Sequence, residues 1–249
     1  MTAARFRPLV LIPSYNTGPR LAETVREARA QGAPVLVVID GSDDGSADLL
    51  EPAPGLELLV LAANGGKGAA VAAGARAAGA RGFTHLLTLD ADGQHPATAI
   101  PAFLAAAAAA PTAMILGWPL FGPEAPAARV RGRRISNALA KIEAPGGGIG
   151  DCLFGFRVYP LAPLLAVLAE GRWMRGFDFD PEVAVRLAWR GVRAVNLPAP
   201  CRYLGAAEGG VSHFRYGRDN LLLAGMHLRL LAGMVRRRLL GRGERHRQR

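Results

Sequence analysis

The sequence predicts an α/β protein built on a mostly parallel sheet with helices on both faces. Three observations carry that expectation. Short apolar runs alternate with helical segments of about 10–15 residues. Polar clusters sit at the ends of four of those runs, where open parallel sheets bind ligands. Of the 249 residues, 50% are hydrophobic, enough core for one large domain or two small ones.

The elements follow in order. Pro8 to Ile12 is an apolar strand and Leu21 to Ala30 an amphipathic helix. Val35 to Ile39 and Leu56 to Leu61 are the second and third strands. Lys67 to Ala80 is a small-residue helix, Phe83 to Leu89 a fourth strand, and Pro96 to Ala110 an alanine-rich helix. Ala113 to Leu116 is a fifth strand. The second half is less regular. Arg129 to Ile142 is a basic helix, and Ala144 to Gly150 a glycine-rich stretch, either a mobile loop beside a site or a linker. Asp180 to Arg190 is a helix and Val192 to Leu197 a strand. Arg218 to Leu240 is a long helix in which leucines, methionines and arginines mix. His227 and Arg229 interrupt it, and no apolar stretch reaches the ~18–20 residues that span a bilayer.

The net charge is +10, with Arg236, Arg237, Arg238, Arg242, Arg245, Arg247 and Arg249 crowding the C-terminus. No aromatic residues interleave with that tail and no nucleic-acid module is present, so no nucleic-acid partner is expected. The stripe Leu222, Met226, Leu230 and Met234 suits a helix lying in a headgroup layer, with docking on the protein itself or on a dimer partner as the alternative. Cys152 and Cys201 have neither metal spacing nor a disulfide pattern, and no signal-type apolar region opens the chain. A cytoplasmic protein with reduced thiols is expected.

Asp90 and Asp92 stand one residue apart where the fourth strand opens into a loop. Two such carboxylates are costly without a partner. A divalent cation is the natural one, since Mg²⁺ or Mn²⁺ takes hard oxygen ligands and bridges carboxylates to phosphates. An acidic turn capping the next helix is the plainer alternative. Asp40, at the second strand end, suits a base N–H or a ribose hydroxyl, whereas Asp44 suits a cap. Asn64-Gly65-Gly66-Lys67-Gly68 offers flexible N–H groups and one cation at a helix start, a cradle for an anion or nucleotide. It lacks the Walker A spacing, and Pro13-Ser14-Tyr15-Asn16 stands where a dinucleotide fingerprint would.

Taken jointly, Leu11 to Asn16, Asp40 to Ser46, Asn64 to Gly68 and Asp90 to Gln94 resemble a family 2 glycosyltransferase, in the branch that is similar to dolichyl-phosphate mannose synthases. The resemblance extends to Asp151 with Gly155-Phe156-Arg157, and to Gly176 through Glu182. It covers residues 1–205, leaving 206–249 as a basic amphipathic C-terminal extension. One departure is visible: Ile39 stands where the family usually has a first acidic residue before Gly41.

The resemblance implies a GT-A fold, a nucleoside-diphosphate sugar donor, Mg²⁺ or Mn²⁺, and inverting transfer. By matching motif, Pro13, Tyr15, Asn16 and Asp40 would hold the nucleotide, with Lys67 near it. Asp90 and Asp92 would hold the ribose and the metal. Arg157 and Arg215 are candidate cations for the leaving diphosphate, and His213 is a candidate phosphate or metal contact, with a structural role as the alternative. Asp151 and Glu182 are the candidate catalytic bases if the acceptor is a hydroxyl; a lipid phosphate needs none. The expected acceptor is a lipid such as a polyprenyl phosphate, met by a peripheral protein on the inner membrane face, possible as a homodimer. A soluble or pigment-like acceptor, or a non-catalytic nucleotide-binding scaffold, is the alternative.

Overall fold

The computed structural model describes residues 5–122, 127–171, 173–202 and 215–247. The elements run β1 (Pro8–Ser14), α1 (Arg20–Arg29), β2 (Val35–Asp40), β3 (Leu56–Leu61), α2 (Lys67–Ala80), β4 (His85–Thr88) and α3 (Ile100–Ala109). They continue with β5 (Met114–Phe121), α4 (Ala127–Glu143), β6 (Arg157–Pro160), α5 (Leu161–Ala169), α6 (Phe179–Trp189), β7 (Ala194–Cys201) and α7 (Tyr216–Arg247). The seven strands form one sheet in the order β3-β2-β1-β4-β6-β5-β7. Every pairing is parallel except those of β6, which runs antiparallel between β4 and β5.

Alternate side chains of each strand feed two core layers, the period-2 consequence of a sheet covered on both faces. Leu9, Leu11, Leu36, Val38 and Leu86 pack with α2, α5, α6 and α7. Val10, Ile12, Val37, Ile39 and Leu87 pack with α1 and α3. The small residues of α2, such as Ala70, Ala75 and Ala78, are fully buried and let that helix lie close on the sheet.

Three expectations change. The helix expected from Pro96 begins as a short 3₁₀ turn at Ala97–Ala99, and its α-helical part starts at Ile100. Pro101 sits in its first turn, where a missing N–H costs nothing. Residues 157–169, which carried no element in the sequence reading, form β6 and α5. The third change concerns α7. Met226 and Leu230, half of the expected lipid-facing stripe, are 0% exposed and join Leu223 in the same core layer as α2. A different stripe faces outward, with Leu221 75%, Leu228 69% and Val235 50% exposed. No helix among the described residues is long and apolar enough to cross a membrane. The domain boundary expected at 205 lies outside the described residues.

Candidate active site

Three strand-end loops are tied into one rim. Asp40, buried at the end of β2, accepts the Gly65 N–H at 2.9 Å on one oxygen and the Gly66 N–H at 2.8 Å on the other. It thereby fixes the loop that starts α2. Asn16 adopts a left-handed φ of 45° after β1. Its backbone N–H donates to Ser42 Oγ at 3.1 Å, and its side-chain amide exchanges two bonds with Asp43. Asp44 accepts the Gly18 N–H at 2.7 Å and the Ser46 N–H and hydroxyl at 3.0 and 2.6 Å, bracing the turn, while Gly45 and not Asp44 is the N-cap of the short 3₁₀ helix that follows. Pro13 is buried beside this rim and Tyr15 half-buried in it.

Beneath the rim lies a partly buried charge layer. Lys67 Nζ stands 2.8 Å from Asp90 Oδ1 and 2.8 Å from Asp180 Oδ2. Burial opposes the lysine charge, but Asp180 and then Asp90 hold it above the usual lysine range. Burial likewise opposes the Asp90 charge, but Lys67, His95 and Arg157 together hold Asp90 below the usual carboxylate range. The approach needs space: a Cβ on Gly155 would lie 2.5 Å from Lys67 Nζ and 2.7 Å from Asp90 Oδ2. His95 accepts the Asp90 N–H at 3.2 Å on Nδ1, which leaves its proton on Nε2. Burial pushes this imidazole down to about 4, and its ring packs against Phe154 at 4.5 Å.

Asp180 and His95 were not singled out from sequence. Asp180 lies inside the quoted Gly176–Glu182 segment, but only the fold brings it to Lys67. Arg157 lies behind the charge layer. It is 0% exposed, and donates to Phe154 O at 2.6 Å, Asp180 O at 2.6 Å and Tyr159 Oη at 3.3 Å. An arginine this enclosed supports Asp180 from behind and has no open face for a diphosphate. Arg215 is exposed at the start of α7, where its N–H donates to Asp219. His213 lies outside the described residues.

The two candidate bases are both held by hydrogen-bond donors. Asp151 accepts Arg133 at 2.5 Å, Asn137 at 2.9 Å and the N–H groups of Leu153 and Phe154 at 2.9 and 2.8 Å. Burial would raise it, but Arg133 and these donors hold it below the usual carboxylate range. Glu182 is 0% exposed; one oxygen takes Arg186 at 2.7 and 2.9 Å and the other Arg229 at 2.9 Å. A general base needs reach to the acceptor and a lone pair to spare. Both carboxylates are instead spent on loops and helices.

Asp92 differs from all of these. It accepts the Gln94 N–H at 3.0 Å, and no ion pair joins it among the described residues. Burial, then the charge of Asp90, pushes it up to about 6. Among the described residues no cluster of three or more acidic, His or Cys ligands exists. That suits Mg²⁺ or Mn²⁺, which keeps one or two carboxylates and takes phosphate oxygens and water for the rest. A carboxylate starved of positive charge at a strand end fits such an ion.

Comparisons with known proteins identify the family and the fold. Residues 9–165 match the family model described as glycosyl transferase family 2. Undecaprenyl-phosphate mannosyltransferase of Micrococcus luteus is 28% identical over 209 residues, covering 77% of this chain and 82% of that protein. Polyprenol monophosphomannose synthase of Mycolicibacterium smegmatis is 27% identical over 229 residues, covering 84% and 83%. Among solved structures, glucosyl-3-phosphoglycerate synthase of Mycobacterium tuberculosis, with Mn²⁺, UDP-glucose and phosphoglyceric acid, superposes with a TM-score of 0.61 at 16% identity. It covers 94% of this chain and 80% of its own, a likeness of fold. The chain belongs to the family 2 glycosyltransferases, in the branch similar to dolichyl-phosphate mannose synthases, and has the GT-A fold.

Proposed function

We propose that this glycosyltransferase moves one sugar, with inversion, from a nucleoside-diphosphate sugar to a polyprenyl phosphate. The observation that carries the reading is the divided pair at the end of β4. Asp90 is neutralised by Lys67, while Asp92 is left without a cation. Pro13, Tyr15 and the loop fixed by Asp40 frame the base and ribose, with Asn16 holding the rim. Asp92 holds the divalent cation, with Asp90 beside it. When bound, that ion supplies Lewis-acid stabilisation of the charge that grows on the leaving diphosphate. Lys67, set between Asp90 and Asp180, keeps the first carboxylate in place and adds positive potential near the same charge.

The acceptor reading draws support from the two spent carboxylates. With Asp151 and Glu182 committed elsewhere, an acceptor that is already anionic suits the site better than a hydroxyl that must lose a proton. The relatives named for undecaprenyl phosphate and polyprenol point the same way, and mannose is the first sugar to try.

A lipid acceptor calls for a membrane-facing surface. On α4, Ile135 and Ile142 are 65% and 54% exposed, and Arg131, Arg134 and Lys141 are exposed around them. On α7, Leu221, Leu228 and Val235 recur every seven residues among Arg218, Arg236 and Arg238. Each cation near an anionic leaflet contributes about 1 kcal/mol. We read these faces as a peripheral contact with the cytoplasmic leaflet. The concentration of arginine disfavours the same stripe as a self-association seam.

The test is transfer from labelled GDP- and UDP-sugars, with Mn²⁺, to polyprenyl phosphate in vesicles. A sugar–phosphate lipid product, lost with EDTA, is expected. Equal turnover with EDTA, or transfer only to soluble acceptors, would overturn the reading.

A further inference from the structure

The long C-terminal helix bears on the donor site at the Trp173–Asp178 turn, where Leu222 lies against Gly176 and Arg229 makes the polar contacts. Arg229, on the inner side of α7, donates from Nη2 to Glu182 Oε2 at 2.9 Å and stands 3.6 Å from Asp178 Oδ2. Its guanidinium lies 4.3 Å over the ring of Trp173. Asp178 in turn accepts the N–H groups of Met174 at 3.2 Å and Gly176 at 3.0 Å. Met174 has a left-handed φ of 65°. A non-glycine residue keeps that conformation only where its surroundings hold it. The Trp173–Asp178 turn is thus bracketed from α7 by Arg229 and from within by Asp178.

The far side of the same turn touches the start of α2 backbone to backbone. The Ala69 N–H donates to Arg175 O at 3.1 Å. A Cβ on Gly68 would lie 2.0 Å from Met174 O, and one on Gly66 2.6 Å from Arg175 O, so only glycine permits the contact at either place. The start of α2 carries Lys67 and follows the two amides that Asp40 holds. The helix that looks in sequence like an appended basic tail therefore bears on the loop assigned to the nucleotide.

We propose that Arg229 is a positioning residue for the donor site: it presses the Trp173–Asp178 turn onto the start of α2 and so sets the Gly65–Lys67 loop. The proposal rests on the donor-site reading above for its functional consequence, and on geometry alone for the contact itself. It separates two jobs within α7. Arg237 docks the helix elsewhere, donating to Trp189 O at 2.6 Å and lying over the Trp189 ring. Arg229 alone of these two meets the turn.

Hydrogen exchange and nucleotide binding test it together. In Arg229→Ala the amides of residues 65–70 should exchange about tenfold faster than in wild type. The Kd for GDP or UDP with Mn²⁺ should rise by a similar factor, about tenfold. Arg229→Lys keeps Glu182 paired and the fold unthreatened, but loses the flat fork over Trp173; it should fall between. Arg237→Ala should leave residues 65–70 at the wild-type rate. Equal acceleration in Arg229→Ala and Arg237→Ala would mean a general loosening of α7 and would overturn the proposal. So would wild-type exchange and affinity in Arg229→Ala. If wild type binds neither nucleotide while the exchange pattern holds, the donor reading fails and the contact stands.

Discussion

The charge layer of the site and its outer lip are built on opposite electrostatic terms. In the layer the charges are interleaved: Lys67 lies between Asp90 and Asp180, and the Arg157 guanidinium stands 4.0 Å from the Asp180 carboxylate. At the lip, Asp92 is two residues from Asp90 on the same chain segment and has no such partner among the described residues. The layer is scaffold that also shapes the potential. The lip is a deficit that something bound must fill.

The sharpest way to break this contrast is to remove the cation from the layer. Lys67→Met leaves half-buried Asp90 and buried Asp180 without the lysine that separates them, with Arg157 still behind Asp180. Breaking a fully buried pair from one side costs about 3–5 kcal/mol, and this partly exposed one should cost less. The variant should unfold at markedly lower temperature and show no transfer. A melting temperature near wild type would mean that the layer is wetter or looser than its burial implies.

The lip should behave in the opposite way. Asp92→Asn removes no counter-charge, so the fold should survive. Transfer should fall by about a hundredfold to a thousandfold, as when one stabilising group is taken from a growing negative charge. Mn²⁺-dependent nucleotide binding should weaken with it. Wild-type turnover by Asp92→Asn, with EDTA present, would remove the metal assignment.

Titration extends the comparison. The folded state raises Asp92 from 3.8 to about 6, so the folded protein holds this proton more tightly than the unfolded chain. Its contribution to stability is present below about pH 4 and is lost as pH rises through 6. Asp90 is lowered instead, so its contribution is present above its unfolded value and lost as pH falls through the folded one. Metal-free Asp92→Asn should therefore gain stability over wild type as pH climbs from 4 to 6. Mn²⁺ affinity of wild type should drop about tenfold per unit below pH 6, since the ligand must be ionised. Flat Mn²⁺ affinity from pH 5 to 7 would show that Asp92 does not bind the ion.

How far this division could be read in the sequence depends on the length scale of each interaction. The strands β1 to β4 were legible because each is a short apolar run bounded by Gly, Pro or polar clusters, and α2 matches its expected bounds. Strand β6 was not, because Arg157 opens it, and a cation in an apolar segment reads as a motif and not as the start of a buried strand. Asp180 itself was hidden because its partner Lys67 lies on a distant helix. Asp151 and Glu182 show the converse. Their presence in family motifs was plain, whereas their saturation by Arg133, Asn137, Arg186 and Arg229 is a tertiary fact.

Helix α7 repeats the division of scaffold and unfilled surface, and yields the smallest effect to test. Periodicity marked Leu222, Met226, Leu230 and Met234 as one apolar face but could not say whether protein or lipid covers it. Protein does: Met226 and Leu230 are 0% exposed in the core. The outward stripe Leu221, Leu228 and Val235 remains for another phase, with Arg218, Arg236 and Arg238 beside it. Leu228→Glu replaces one apolar anchor by a charge that an anionic leaflet repels, so vesicle binding should fall about tenfold. Raising salt should weaken wild-type binding further, because exposed charges are screened beyond about 8 Å at physiological ionic strength. Nucleotide binding in Leu228→Glu should stay at the wild-type level, since the substitution points away from Arg229 and the turn it holds. Flotation of Leu228→Glu with anionic vesicles at the wild-type level would move the membrane contact off this stripe, leaving the outer face of α4, with Ile135 and Ile142, as the surface to probe.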